Sequence, residues 1–405
     1  MILPCRIRRP VTALKPCLSV AVFASAFLLL PFQADAQNAA SSSLQEADVK
    51  WVPAVPIGIT AGVDAGYDDN VTLTPNAEGS FFGRENVVLT YSSASTRTQL
   101  SLLGIGRFSQ YFDVTGQDET SGNITMGFTH NFSTRLFLYV NGYASYQKEP
   151  SFNSNIGPEN VRAAHFDTND NVALTYYWLP RLSSITSYTF SRVDYADESI
   201  GNAQDRFDNT IGERFQFSLT TRTNVSAEYR YEIINYDTAP LDSTTHYLLF
   251  GVDHHLTEHL VIRADGGESI RSLQNQGISL SPYFAGSLDY VSSNHTLSWV
   301  TRYGFEAPNA EDVSIRKTWR TGLLLTYDLT SRLSSRFAVF YNHDQNEGGT
   351  SEGPQDAIDM TVGLRYVIRR GLILRVDYSH SSETALEPMP AYSRNIYSAG
   401  LSYTY

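Results

Sequence analysis

The segment IDMTVGLRYVIRRGLILRVDYSH, residues 358–380, decides the architecture. Ile358, Met360, Val362, Leu364 and Tyr366 share one side of an extended chain, and Asp359, Thr361, Gly363 and Arg365 share the other. Beyond a tight turn across 368–371 the pattern resumes. Leu372, Leu374, Val376 and Tyr378 alternate with Ile373, Arg375, Asp377 and Ser379. Period-2 runs on both sides of a short turn specify a β-hairpin with one apolar and one charged face. Tyr229, Tyr231 and Ile233 against Glu228, Arg230 and Glu232 repeat the pattern, as do Ile57, Ile59, Ala61, Val63 and Ala65 against Gly58, Thr60, Gly62 and Asp64. A soluble sandwich alternates too, with its apolar face inward. These segments are too long and too many for one sandwich.

The connections alternate in length. Tight ones read NFST (131–134), LPRL (179–182), LTEH (256–259), SSNH (292–295) and LTSR (329–332), while 148–165, 197–206, 343–356 and 380–391 are long and polar. Short turns on one rim and long loops on the other are the asymmetry of an outer-membrane barrel. The reading is an all-β, transmembrane, antiparallel up-and-down β-barrel over residues 56–405 with about eighteen strands. Sixteen is the alternative, because the strand over 181–196 has no clear phase and Glu213 falls on the wrong face of its strand. No capped helix is expected. Trp178, Tyr327, Tyr366 and Tyr403 near turns, with Tyr67, Tyr195, Tyr236 and Tyr341 near long loops, read as two interfacial girdles.

Residues 1–36 read as a cleaved signal peptide. Arg6, Arg8, Arg9 and Lys15 precede an apolar core over 18–32, and Ala34-Asp35-Ala36 supplies the cleavage site. The apolar run is short for a membrane-spanning helix, and Lys15-Pro16 before Cys17 is no lipobox. Residues 37–55 read as a disordered periplasmic lead-in, about twenty residues where a plugged receptor needs a whole domain. Both cysteines, Cys5 and Cys17, belong to the leader, so no disulfide, thiol nucleophile or thiolate metal site is expected in the mature chain. Cleavage removes four of 30 basic and one of 42 acidic residues, leaving 26 against 41, a net charge of −15. So acidic a chain, with Lys50, Lys148 and Lys317 as its lysines, lacks the footprint of a nucleic-acid binder.

The chain ends SAGLSYTY. Ser398, Gly400, Tyr403 and Tyr405 have the spacing of the C-terminal strand that the barrel assembly machinery reads. Lipid and lipopolysaccharide are the expected surroundings. The faces expected to line the lumen carry Arg107, Arg214, Arg230, Arg263, Arg302, Arg320, Arg336, Arg365 and Arg375, with Glu228, Glu232, Asp265, Asp359 and Asp377. A tight turn near 219–223 would set Arg214 opposite Glu228, and that at 368–371 would set Arg365 beside Arg375. Such charges either tune permeation or pair along the wall. Tyr139 and Tyr143 could stack sugar rings or fill gaps against glycine.

Tyr67-Asp68-Asp69-Asn70-Val71, followed by Leu73-Thr74-Pro75, resembles the entry motif of the putative beta-barrel porin type 2 family. Tyr188 to Tyr195 (YTFSRVDY) is similar to that family as well. The resemblance implies a porin associated with exopolysaccharide secretion or passive diffusion, possible export-component partners, and no catalytic residues or cofactor. An adhesive or purely structural barrel is the second reading and an outer-membrane hydrolase the third. His254 and His255 point to opposite faces of a strand and cannot share one metal without distortion. No nucleophile–base–acid set follows from the remaining histidines, so no metal site or enzyme is expected.

Overall fold

The computed structural model describes residues 57–148, 163–274, 277–308, 313–348, 352–385 and 391–405; the leader, the lead-in and most of 148–165 lie outside these. Eighteen antiparallel strands follow one another in chain order: β1 (Ile57–Asp68), β2 (Ser80–Ala94), β3 (Thr98–Tyr111), β4 (Glu119–Asn131), β5 (Leu136–Gln147), β6 (His165–Leu179), β7 (Leu182–Tyr195), β8 (Arg206–Ser218) and β9 (Thr223–Tyr236). The second half comprises β10 (Ser243–His255), β11 (Leu260–Leu273), β12 (Gly277–Val291), β13 (His295–Glu306), β14 (Ile315–Asp328), β15 (Leu333–Glu347), β16 (Gly353–Arg369), β17 (Leu372–Glu383) and β18 (Tyr392–Thr404). Each pairs with its neighbours, and β18 returns to β1 with Asp64 opposite Gly400 and Tyr67 opposite Tyr397. The sheet has no free edge, as a structure crossing hydrocarbon requires. Among the described residues no helix is long and apolar enough to cross a membrane.

Burial runs inside out. Arg271 and Arg320 are the largest fully buried side chains, at 1% and 0% exposure, while Phe250 and Ile278 are 72% and 73% exposed. Alternation in strand geometry sends one set toward lipid and its neighbours into the cylinder. Trp178, Tyr327, Tyr366 and Tyr403 are exposed on the outside at the short-turn rim, which forms one girdle. Tyr67 and Tyr341 face outward at the other end. Tyr195 and Tyr236 do not: both are buried on the inner face, and the Arg206 guanidinium lies 6.0 Å from the Tyr236 ring centroid. They share the parity of inward Val193 and Ile234, which placement near a loop overlooked.

Three other expectations need correction. The β15–β16 hairpin continues past the lipid belt, so residues 348–352 alone connect its strands in place of a loop over 343–356. A short helix, α1 (Glu198–Gln204), stands after β7. Asp197 caps it by accepting the Ser199 N–H at 2.9 Å, and Glu198 in its first turn suits the helix dipole. Those bonds hold the Asp197 carboxyl below its ordinary range. Strand β7 also has a definite phase. It puts Thr186 and Tyr188 outside and Ile185 and Val193 inside, which blurs the apolar alternation. Glu213 does face outward, and there it accepts the Thr186 hydroxyl at 2.6 Å.

The turn at Arg370-Gly371 shows how register is fixed. Gly371 has φ 77°, and a Cβ there would lie 2.7 Å from the Thr404 carbonyl oxygen. Only glycine takes both the left-handed conformation and the close approach without strain.

Candidate functional site: the lumen wall

All fourteen charged candidates occupy inward positions, and most are held in two tiers of ion pairs along β8–β15. In the tier nearer the short turns, Arg214 donates to Glu228 at 2.8 Å and to Asp265 at 3.0 Å. Arg230 donates to the other Glu228 oxygen at 2.9 Å and lies over the Tyr247 and Tyr283 rings. Arg263 reaches Asp289 at 2.7 Å. The register that sets Arg214 opposite Glu228 is the one expected from the tight turn.

The second tier centres on Glu306, near the long-loop end of β13. Its carboxylate accepts Arg302 at 2.6 Å and Arg320 through Nε and Nη2 at 2.7 and 2.6 Å, with Arg316 4.0 Å away. Arg316 donates to Asp344 at 2.6 Å. Arg271 donates to the Glu306 carbonyl at 2.8 Å and to Glu232 at 3.2 Å, where Tyr247 also donates at 3.0 Å. Hydrogen-bonded guanidinium–carboxylate pairs of this kind are tolerable in a low dielectric because each charge has its complement. Glu306, Arg271, Arg316 and Asp344 were not among the sequence candidates. Parity could have found them: Arg316 shares a face with Arg320, Arg271 with Asp265, and Glu306 with Arg302.

The remaining candidates lie toward the closure. Arg365 stands opposite Arg375, as the turn required, and Arg375 has Asp64 3.7 Å away. Asp377 faces Gly363 on one side and Ser398 on the other. Asp359 is buried, and Arg336 stands beside Gly363 in register. Arg107 differs from all of these, being exposed to the lumen in a sector it shares with Arg84, Arg375, Asp64 and Glu119.

Strands β4–β7 offer a different surface. Inward Asn123, Thr125, Asn141, Ser145, Asn169, Asn171, Thr189 and Ser191 make it a wall rich in amides and hydroxyls without an arginine or lysine. Asn169 donates to Ser191 at 3.0 Å and Asn171 to Thr189 at 2.7 Å, while Ser145 donates to Asp167. Tyr139 and Tyr143 both point inward here, with Tyr143 buried. With eighteen strands in the ring, β5 stands across the lumen from β14 and its Arg320.

The strand-exit motif closes the cylinder. Asp68, fully buried, accepts Arg394 through both oxygens, and Tyr111 donates to the same carboxylate at 3.4 Å. Asp69 accepts the Asn395 N–H at 2.6 Å, and Asn70 donates to the Ser393 carbonyl at 2.9 Å. At the other end, Gly400 leaves room that the Asp64 carboxylate fills.

His165 is buried on the inner face with Nδ1 2.8 Å from the Ala163 carbonyl oxygen, while other histidines make outward, local contacts. His343 and Tyr341 share the Asp356 carboxylate at 2.8 and 2.7 Å, and His254 contacts Thr223 at 3.0 Å. Among the described residues no group of three or more His, Cys, Asp or Glu side chains could hold a metal ion.

A family model described as putative beta-barrel porin 2 matches residues 59–405. No protein with a curated description matches the sequence. Similar solved structures include a BenF-like porin from Pseudomonas fluorescens Pf-5 (9% identity, 87% of this chain and 99% of that one, TM-score 0.46). The outer membrane protein OpdK from Pseudomonas aeruginosa is also similar (12%, 86% and 98%, TM-score 0.44), as is OccAB4 from Acinetobacter baumannii (10%, 86% and 98%, TM-score 0.42).

Proposed function

The chain belongs to the putative beta-barrel porin 2 family, and from that premise we propose that it forms a water-filled outer-membrane channel for hydrophilic solutes. One observation carries the reading: a sealed ring of eighteen strands has polar side chains on its inner face and apolar ones outside. A ring of that size leaves an aqueous path unless loops fill it.

The finer reading is association with exopolysaccharide secretion. It is supported by the β4–β7 wall, where amides, hydroxyls and the inward Tyr139 and Tyr143 offer the hydrogen bonds and ring faces a sugar chain requires. Both termini and the short turns face the periplasm in this reading, and the long loops face outward beside lipopolysaccharide. The C-terminal strand, through Ser398, Gly400, Tyr403 and Tyr405, is the segment offered to the assembly machinery. Polysaccharide-export components are the periplasmic partners. The protein acts as a conduit and not as an enzyme.

Planar-bilayer recording with the purified chain tests the channel. Discrete open steps are expected, and Arg107→Glu shifts the reversal potential toward cation preference while leaving assembly unchanged. Silence in the bilayer would favour a structural barrel, and glycan cleavage a hydrolase. Transient block by soluble oligosaccharide, weakened by Tyr139→Ala, is expected if the β4–β7 wall meets sugar.

A further inference from the structure

The short-turn rim repeats one local device. In Ser95-Thr96-Arg97, Ser133-Thr134-Arg135, Thr220-Thr221-Arg222 and Thr330-Ser331-Arg332, the first hydroxyl oxygen accepts the backbone N–H of the arginine two residues on, at 3.4, 3.1, 3.1 and 3.2 Å. Thr257-Glu258-His259 does the same with histidine, at 3.1 Å. A hydroxyl bonded to the N–H two residues ahead is the side-chain mimic of a backbone turn. It fixes the backbone of the basic residue and leaves its side chain projecting from the rim. Arg97, Arg135, Arg222 and Arg332 are all exposed.

An exposed apolar residue stands just before the hydroxyl in four of the five turns: Phe132, Leu219, Leu256 and Leu329. These continue the outer apolar belt and its girdle, so the turns sit where acyl chain meets headgroup. The basic side chain three residues on is thereby held at the level of lipid phosphates. Two further turns, at Pro180-Arg181 and Arg370-Gly371, add exposed arginines. The turn residues of this rim thus hold six arginines against one carboxylate, Glu258. The opposite rim has the reverse character, with Asp69, Asp113, Asp118, Asp197, Asp205 and Asp237 in its connections.

We infer that the short-turn rim is a binding surface for anionic glycerophospholipid, with the arginine guanidiniums holding the headgroup phosphates. Guanidinium matches phosphate in a two-pronged geometry and stays charged at any working pH. The apolar residue beside each site gives the lipid chain its own contact. An acidic protein would meet the arginines but has no use for four leucine and phenylalanine side chains already immersed in the belt. The surface exists whether or not the lumen conducts.

The test is boundary-lipid selectivity of the full chain reconstituted in phosphatidylcholine bilayers. Headgroup-labelled phosphatidylglycerol and phosphatidylcholine report their relative association with the barrel. The wild-type chain should favour phosphatidylglycerol by about fivefold for each occupied site at low salt, with the preference collapsing in concentrated salt. The combined variant R97Q/R135Q/R222Q/R332Q should fall most of the way to parity. The matching lysine variant should keep a clear preference. No preference in the wild type, or a preference that survives the glutamine variant, overturns the inference. So does an acidic peptide binding the rim while lipid selectivity is unchanged. If the glutamine variant does not assemble, salt sensitivity of the wild-type preference decides between a charge-held lipid annulus and none.

Discussion

The wall formed by β8–β15 and the wall formed by β4–β7 line one lumen with opposite chemistries. The first is a lattice of arginines and carboxylates packed until Arg320 and Arg271 lose nearly all contact with solvent. The second has no arginine or lysine and, apart from the Ser145–Asp167 contact, is joined by single amide and hydroxyl bonds. A cylinder needs polarity inside, and the contrast shows two ways of supplying it. The charged wall is stiff and strongly interdependent, because each guanidinium is bearable only with its complement. The amide and hydroxyl groups of the second wall can exchange partners with water or a solute at little cost, since a net hydrogen bond is worth about 1 kcal/mol.

Three experiments sharpen or break this contrast. Glu306→Ala should have the largest effect, because it leaves Arg302, Arg320 and Arg316 facing one another without their shared carboxylate. Removing one partner of a buried pair costs about 3–5 kcal/mol, so the temperature at which the folded band disappears on SDS gels should drop sharply. Asn171→Ala on the β4–β7 wall removes one bond to Thr189, costs about 1 kcal/mol, and should leave that band nearly unmoved. Equal losses in both variants would refute the distinction. The smallest effect belongs to the outer rim, where Arg192 donates to Asp237 at 2.9 and 2.6 Å. The guanidinium holds the Asp237 carboxyl below its ordinary value, so the contact is complete above the ordinary carboxylate pKa and is lost as pH falls through the lowered one. Both groups are partly exposed and screened. Proteolysis of the 237–242 connection should therefore rise only in acid, and Arg192→Gln should abolish that dependence.

Strands were legible wherever lipid on one side enforces alternation, as in β9, β16 and β17. Where strands pass beyond lipid the signal fades: Gln345-Asn346-Glu347 reads as loop, although pairing with β14 and β16 carries it on as strand. Strand β7 hid its phase because Thr186 faces outward and Ile185 inward. Helix α1 has one capping residue and too few turns to show a period. The inward set was readable by parity. Who pairs with whom was readable only across tight turns, as for Arg214 and Glu228, since there the register follows from the turn itself. Arg271 with Glu306, 35 positions apart, depends on two successive registers.

The carboxylate of Asp68 finds its guanidinium 326 positions later in the chain. Until the final segment arrives, that acid sits at the outlet of the first segment with no cation to neutralise it. A polypeptide cut short before Arg394 therefore carries a built-in fault at its opening strand. The same closure that seals the ring, β18 against β1, also brings this acid its counter-charge.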